Sequence, residues 1–124
     1  VEALREQDFG ALRGQPYEAA ARDATWHTDR WRFRPPGGET LEEVGQRAGP
    51  ALDEIAARHL GSEIVVVSHG GVMAALRAWT STQRFEGVPH LSANATGFVL
   101  WRRTESYEGP FPLESDGDEG AILG

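Results

Sequence analysis

The hydrophobic pattern changes period along the chain, and each change predicts an element. Leu41, Val44, Ala48, Ala51, Leu52 and Ile55 recur at three- and four-residue spacing, which predicts an amphipathic helix stopped by Gly61. Thr40-Leu41-Glu42-Glu43 at its start has the form of a capping box, a hydroxyl and a carboxylate that can serve each other's backbone amides. Gly49-Pro50 falls mid-helix, where proline lacks a donor and crowds the preceding turn, so a kink or short break is predicted there. The period then disappears. Ile64-Val65-Val66-Val67 is four β-branched residues in a row, apolar toward both faces, the pattern of an interior parallel strand. Ser68-His69-Gly70-Gly71 follows as a turn with room for close backbone approach, and Val72-Met73-Ala74-Ala75-Leu76-Arg77 opens a helix that should run to about Ser81. After a polar, irregular stretch from Thr82 to Asn94, Thr96 to Arg102 reads as one more strand.

The first forty residues are less regular. Leu4 to Gly14, with glycines at 10 and 14, predicts a loop or short turns carrying specific side chains. Tyr17 to Thr25, rich in alanine, predicts a short helix. Trp26 to Arg34 then interleaves aromatics with Arg30, Arg32 and Arg34, and Pro35-Pro36-Gly37-Gly38 ends any regular element. The arginines alternate as on a solvated strand or loop, the favoured reading, with a face toward an anionic substrate as the alternative, and Trp26, Trp31 and Trp79 are expected to pack rather than to bind ligands. Two strands make a thin sheet for an α/β domain, where about five or six are usual.

A chain of 124 residues, 40% hydrophobic and 25% charged, fits one globular domain, and no apolar run approaches the roughly 20 residues of a membrane span. Without cysteine there are no disulfides and no thiolate metal sites; a cytoplasmic setting is expected. The net charge of −7 argues against nucleic acid as a partner, but it is unevenly placed. All 12 basic side chains precede residue 104, against 13 of the 19 acidic ones, so residues 1–103 are nearly neutral. Residues 104–124 hold the other six acids and little apolar material, and are expected to form an acidic, flexible tail beyond a domain of residues 1–103.

The chemistry concentrates at His69, where the strand gives way to a helix. Open α/β sheets bind ligands at that junction, and a helix start offers unpaired N–H groups to an anion beside an imidazole. Three stretches in order, Leu4-Arg5-Glu6-Gln7-Asp8-Phe9-Gly10-Ala11-Leu12-Arg13-Gly14, Pro36-Gly37-Gly38-Glu39-Thr40 and Val67-Ser68-His69-Gly70-Gly71-Val72, resemble the phosphoglycerate mutase-like branch of the histidine phosphatase superfamily. Asn94-Ala95-Thr96, leading into the last strand, adds to the resemblance, which covers about Leu4 to Trp101. It implies a three-layer α/β/α sandwich and phosphoryl transfer through a phosphohistidine, with no metal or other cofactor, on a phosphorylated small molecule. It also implies roles for particular residues. His69 corresponds to the second active-site histidine, which contacts the transferring phosphoryl group, and Gly70 to the residue after it. Glu6 corresponds to the proton donor to the leaving oxygen, and Asn94 to a pocket edge or turn without chemistry of its own.

The family's nucleophile lies in an Arg-His-Gly motif at the end of the first strand, and no such tripeptide occurs in this sequence. Arg58-His59-Leu60-Gly61 is a decoy: a basic pair and a glycine suit the end of the helix begun at Thr40. The chain is therefore expected to be the C-terminal part of such a domain, its N-terminal strands missing, and inactive alone. Exposed apolar faces at Ile64 to Val67 and Phe98 to Trp101 would then drive self-association or pairing with a missing N-terminal half. Two other readings stand beside this one. A non-catalytic, phospholigand-binding or partner-dependent half-domain would use the same histidine. An α/β-hydrolase fragment would use His69-Gly70-Gly71 in an oxyanion hole, but the Gly-x-Ser-x-Gly elbow it requires downstream is missing.

Overall fold

The computed structural model describes residues 1–91 and 96–113. Two helices form its centre. The longer, α3 (Leu41–Arg58), starts at Thr40, whose hydroxyl accepts from the Glu43 amide at 3.1 Å while Glu43 Oε1 accepts from the Thr40 amide at 2.8 Å. The shorter, α4 (Gly70–Ser81), is N-capped by His69 in an extended conformation. Val44, Ala48, Val72, Ala75 and Leu76 meet between them and, with Leu4, Trp31, Leu41 and Phe85, make the core. Small residues on α3 let the aromatics lie flat. A Cβ at Gly45 would fall 2.3 Å from the Phe85 ring, and one at Gly49 would fall 2.2 Å from Trp79.

Helix α3 passes through Pro50 without the predicted break. Proline costs the Gln46 carbonyl its partner, but the preceding turns are locked by burial of Val44, Gly45, Ala48 and Gly49, Ala51, Leu52 and Ile55 pack on the core beyond it, and packing outweighs one lost bond. Arg58 and His59 close this helix and Gly61 turns the chain at φ +82°, as a helix end rather than a nucleophile motif requires. The predicted helix from Tyr17 to Thr25 is two short ones, α1 (Tyr17–Ala20) and α2 (Ala24–Thr28), because Asp23 caps the second through the Thr25 amide at 2.8 Å. Single 3₁₀ turns at Glu2–Leu4 and Gly10–Leu12 occupy the predicted loop region.

The sheet departs from expectation. Among the described residues the strands are β1 (Phe98–Arg102) and β2 (Tyr107–Pro112), an antiparallel hairpin with an irregularity between Val99 and Trp101. Ile64 to Val67 joins no ladder, so the predicted parallel strand is not formed as such. Val65 and Val67 are 74% and 89% exposed, with Ile64 and Val66 near 40%. A run apolar on both faces needs strands beside it and layers above and below, and the described residues supply neither. The structure is thus α/β in composition, with helices and a two-stranded sheet; it does not show a three-layer sandwich.

Strand β2 lies inside the segment expected to be a flexible tail, so the order extends past residue 103 to at least 113; residues 114–124 lie outside the described residues. One carboxylate holds the hairpin down. Asp53 on α3 accepts from the Tyr107 hydroxyl at 2.5 Å and from Trp79 Nε1 at 3.1 Å, with Arg102 Nη1 3.6 Å away. Burial and the hydrogen bond to Asp53 push the Tyr107 pKa well up, so the phenol keeps its proton and donates. Tyr107→Phe should therefore cost about 1–2 kcal/mol and raise the amide exchange rates of β1 and β2 before those of α3. Equal acceleration in hairpin and helix would show that Asp53 does not hold the hairpin separately.

Candidate active site

Glu6 and His69, 63 positions apart in sequence, lie side by side. His69 Nδ1 is 3.6 Å from Glu6 Oε2, with both side chains about half exposed. The carboxylate is fixed at its other oxygen, where Oε1 accepts from the Gln7 amide at 2.8 Å. Gly70 and Gly71 form the first turn of α4 rather than a turn before it, so their amides belong to the unpaired donors of a helix start. A Cβ at Gly71 would sit 3.4 Å from Glu6 Oε1, which places the carboxylate against this first turn. Ser68 Oγ donates to the Leu4 carbonyl at 2.9 Å and ties the base of the histidine to the segment that bears the glutamate. An imidazole, a carboxyl group and helix-start amides thus converge, a set that can bind an oxyanion and move a proton. Asn94 lies outside the described residues.

The placement of Glu6 depends on a crossing of two backbones. Segment 8–11 runs against segment 36–39, joined by Ala11 N to Pro36 O at 2.8 Å and Glu39 N to Asp8 O at 2.9 Å. Neither chain has room for a side chain there. A Cβ on Gly10 would lie 2.3 Å from the Pro36 carbonyl oxygen, and one on Gly38 would lie 2.4 Å from that of Asp8. Gly10 also has φ +53°, and Asp8 Oδ1 caps its amide at 2.8 Å. The Phe9-Gly10 and Pro36-Gly37-Gly38 motifs are therefore two sides of one contact. Gly10→Ala should destabilise the fold by at least about 2 kcal/mol through the left-handed backbone and the clash together, measurable by urea denaturation; a change within experimental error would mean that the crossing can open.

Sequence reasoning did not single out Arg47 or Glu39, which secure the crossing to α3. Arg47 Nη2 and Nε meet the two Glu39 oxygens at 2.7 and 3.2 Å, with both side chains only 16–17% exposed. The same guanidinium donates to the Ala3 carbonyl at 2.7 Å and the Glu6 carbonyl at 3.2 Å, while Gln7 Nε2 donates to the Glu39 carbonyl at 2.9 Å. Glu39 Oε1 also takes the Asp8 amide at 3.0 Å. Arg47 occupies a position on α3 flanked by buried Val44 and Ala48, and that was the available signal: an arginine close to the buried stripe needs an acid to face. Burial pushes the Glu39 carboxyl up, but the Arg47 guanidinium and the Asp8 amide outweigh it and hold its pKa below the ordinary glutamate value.

A carboxylate with a lowered folded-state pKa contributes stability in full above its unfolded value, here 4.5, and loses it as pH falls through the folded one. Glu39→Gln should therefore flatten the acid limb of the stability curve below that pH. Arg47→Met, which strands the largely buried Glu39 carboxylate, should cost about 3 kcal/mol near neutrality. A Glu39→Gln curve with an unchanged acid limb would exclude the ion pair as its source.

Residues 1–108 match the sequence profile described as "Histidine phosphatase superfamily (branch 1)". The chain belongs to that superfamily. Within it the similarity is to the phosphoglycerate mutase-like branch. The chain is 34% identical over 99 residues to a phosphoglycerate mutase-like protein 4 of Arabidopsis thaliana, covering 73% of this chain and 43% of the relative. It is 33% identical over 82 residues to a metal-independent phosphoserine phosphatase of the same plant, covering 61% and 34%. A 2,3-bisphosphoglycerate-dependent phosphoglycerate mutase of Rhizobium etli is 36% identical over 108 residues, covering 80% and 50%. The chain thus spans half or less of the length of these relatives. No helix among the described residues is long and apolar enough to cross a membrane.

Proposed function

We propose that Glu6 and His69 are one side of a phosphohistidine-type phosphoryl-transfer site, and that the nucleophilic histidine comes from polypeptide outside these 124 residues. The observation that carries this reading is the Glu6–His69 pair at the first turn of α4, 3.6 Å apart and open to solvent. In such a site the external histidine attacks phosphorus as the P–O bond breaks. Glu6 in its acid form hands its proton to the leaving oxygen, and His69 with the Gly70 and Gly71 amides holds the equatorial oxygens. The substrate class is a phosphorylated small molecule, in keeping with the mutases and the phosphoserine phosphatase to which the chain is similar.

Alone, the chain lacks the nucleophile and should show no turnover of p-nitrophenyl phosphate above background, since positioning without an attacking group leaves the P–O bond intact. The exposed run Ile64 to Val67 supports a half-domain that pairs with another strand-bearing segment or, failing that, with itself. Fusion behind a segment that bears Arg-His-Gly should restore turnover, and His69→Ala or Glu6→Gln in the fusion should lower it by at least about a hundredfold, the usual worth of a positioned acid or base. Turnover by the 124 residues alone that vanishes in His69→Ala would overturn the dependence on an external nucleophile. A fusion indifferent to both substitutions would overturn the assignment of the site.

A further inference from the structure

A cavity of about 600 Å³, lined by neither Glu6 nor His69, lies between α2 with the turn that follows it and residues 86–91. Its walls are built. Trp31 Nε1 donates to the Glu86 carbonyl at 3.2 Å and Arg32 Nη1 to the Phe85 carbonyl at 3.1 Å, so the two sides are bonded together at their base. The charges inside it do not cancel in pairs. Asp29 is met at both oxygens by Arg32 at 3.2 Å, and Arg32 also reaches Glu42 at 3.1 Å. Arg30, by contrast, has no carboxylate and no hydrogen-bond acceptor among the described residues; its guanidinium lies over the Trp26 ring, 3.2 Å from the centroid. Glu86, the other acid of the lining, is exposed and forms no ion pair with it.

A guanidinium stacked on an indole is held in place, and its N–H groups remain in its own plane to donate sideways. Trp26 is itself fixed edge-on against buried Phe33, with ring centroids 5.2 Å apart. Burial pushes the Arg30 pKa down, which marks a cation that has lost water without gaining an anion. We propose that this cavity binds a small organic anion, with Arg30 gripping its carboxylate or phosphate group by paired N–H···O bonds and Trp26 holding Arg30 in position. It shares no lining residue with Glu6 and His69, so the inference stands apart from the phosphoryl-transfer reading.

The test is a titration of the isotope-labelled chain, followed by NMR at the Trp26 indole N–H and the Arg30 Nε–H. Sodium phosphate and sodium acetate are added separately against sodium chloride at matched ionic strength. Saturable shifts of both signals in the millimolar range are expected with at least one anion; phosphate alone would identify a phosphoryl group as the ligand chemistry, and acetate a carboxylate. Arg30→Gln should weaken the binding about tenfold or more, one charge-assisted hydrogen-bonded contact, and His69→Ala should leave it unchanged. Should Arg30→Gln lose spectral dispersion, Arg30→Lys, which keeps the charge without the planar fork, should bind more weakly than the parent. Shifts that never saturate with either anion, or that persist at full strength in a folded Arg30 variant, would overturn the proposal. Loss of binding in His69→Ala alone would assign the anion to the other site.

Discussion

The ion pair between Arg47 and Glu39 is the contact on which the geometry of the site depends. Both side chains are largely withdrawn from water, and neither could remain so alone. Through its remaining donors Arg47 reaches the Ala3 and Glu6 carbonyls, and through its second oxygen interaction and backbone Glu39 reaches Gln7 and Asp8. The segment that carries Glu6 has only single 3₁₀ turns of its own, so it is positioned by α3 rather than by local propensity. The glycines at 10 and 38 make the approach possible, and the ion pair makes it favourable.

Around that clamp the described structure divides into a satisfied part and an unsatisfied one. The contact of α3 with α4 is packed to the point where methyl groups at Gly45 and Gly49 would collide with aromatic rings, and the hairpin is drawn onto it by Asp53. Ile64 to Val67 has no such complement, though it leads directly into His69. A histidine at the end of an unpaired segment is held only by its neighbours: Ser68 bonded to Leu4, the α4 start, and Glu6 beside it. The candidate chemistry thus sits at the boundary between the packed helices and a run that joins no ladder among the described residues. This is why the site can be arranged here while the reaction is proposed to need another polypeptide segment.

The helices were legible because their signals are local. The capping box at Thr40, the three-and-four spacing beyond it and the stop at Gly61 each require only a few neighbouring residues, and α3 follows them from end to end. Three expectations failed for reasons of context. Pro50 predicted a break, but the buried turn before it and the partly buried Ala51, Leu52 and Ile55 packed on the core after it carried the helix through. Ile64 to Val67 read as a strand, yet a strand is a relation between chains and cannot form from its own sequence. Residues from 104 onward read as a tail because their charge was counted; Tyr107 and Phe111 instead pair with β1, and the Tyr107 hydroxyl seeks Asp53 on α3.

Contiguous residues carried the two central helices, the family and the candidacy of Glu6 and His69, because periodicity, caps and motif spacing are local. Only the tertiary structure decided that those two side chains lie together, that glycines 10 and 38 are the reason, that Arg47 and Glu39 hold them there, and that Arg30 faces a cavity while Arg32 and Arg34 are consumed by Asp29, Glu42 and Glu43. These are facts about which charges and carbonyls meet after burial. The pairing of a withdrawn charge is set by distances across the fold, and residue order alone does not contain them.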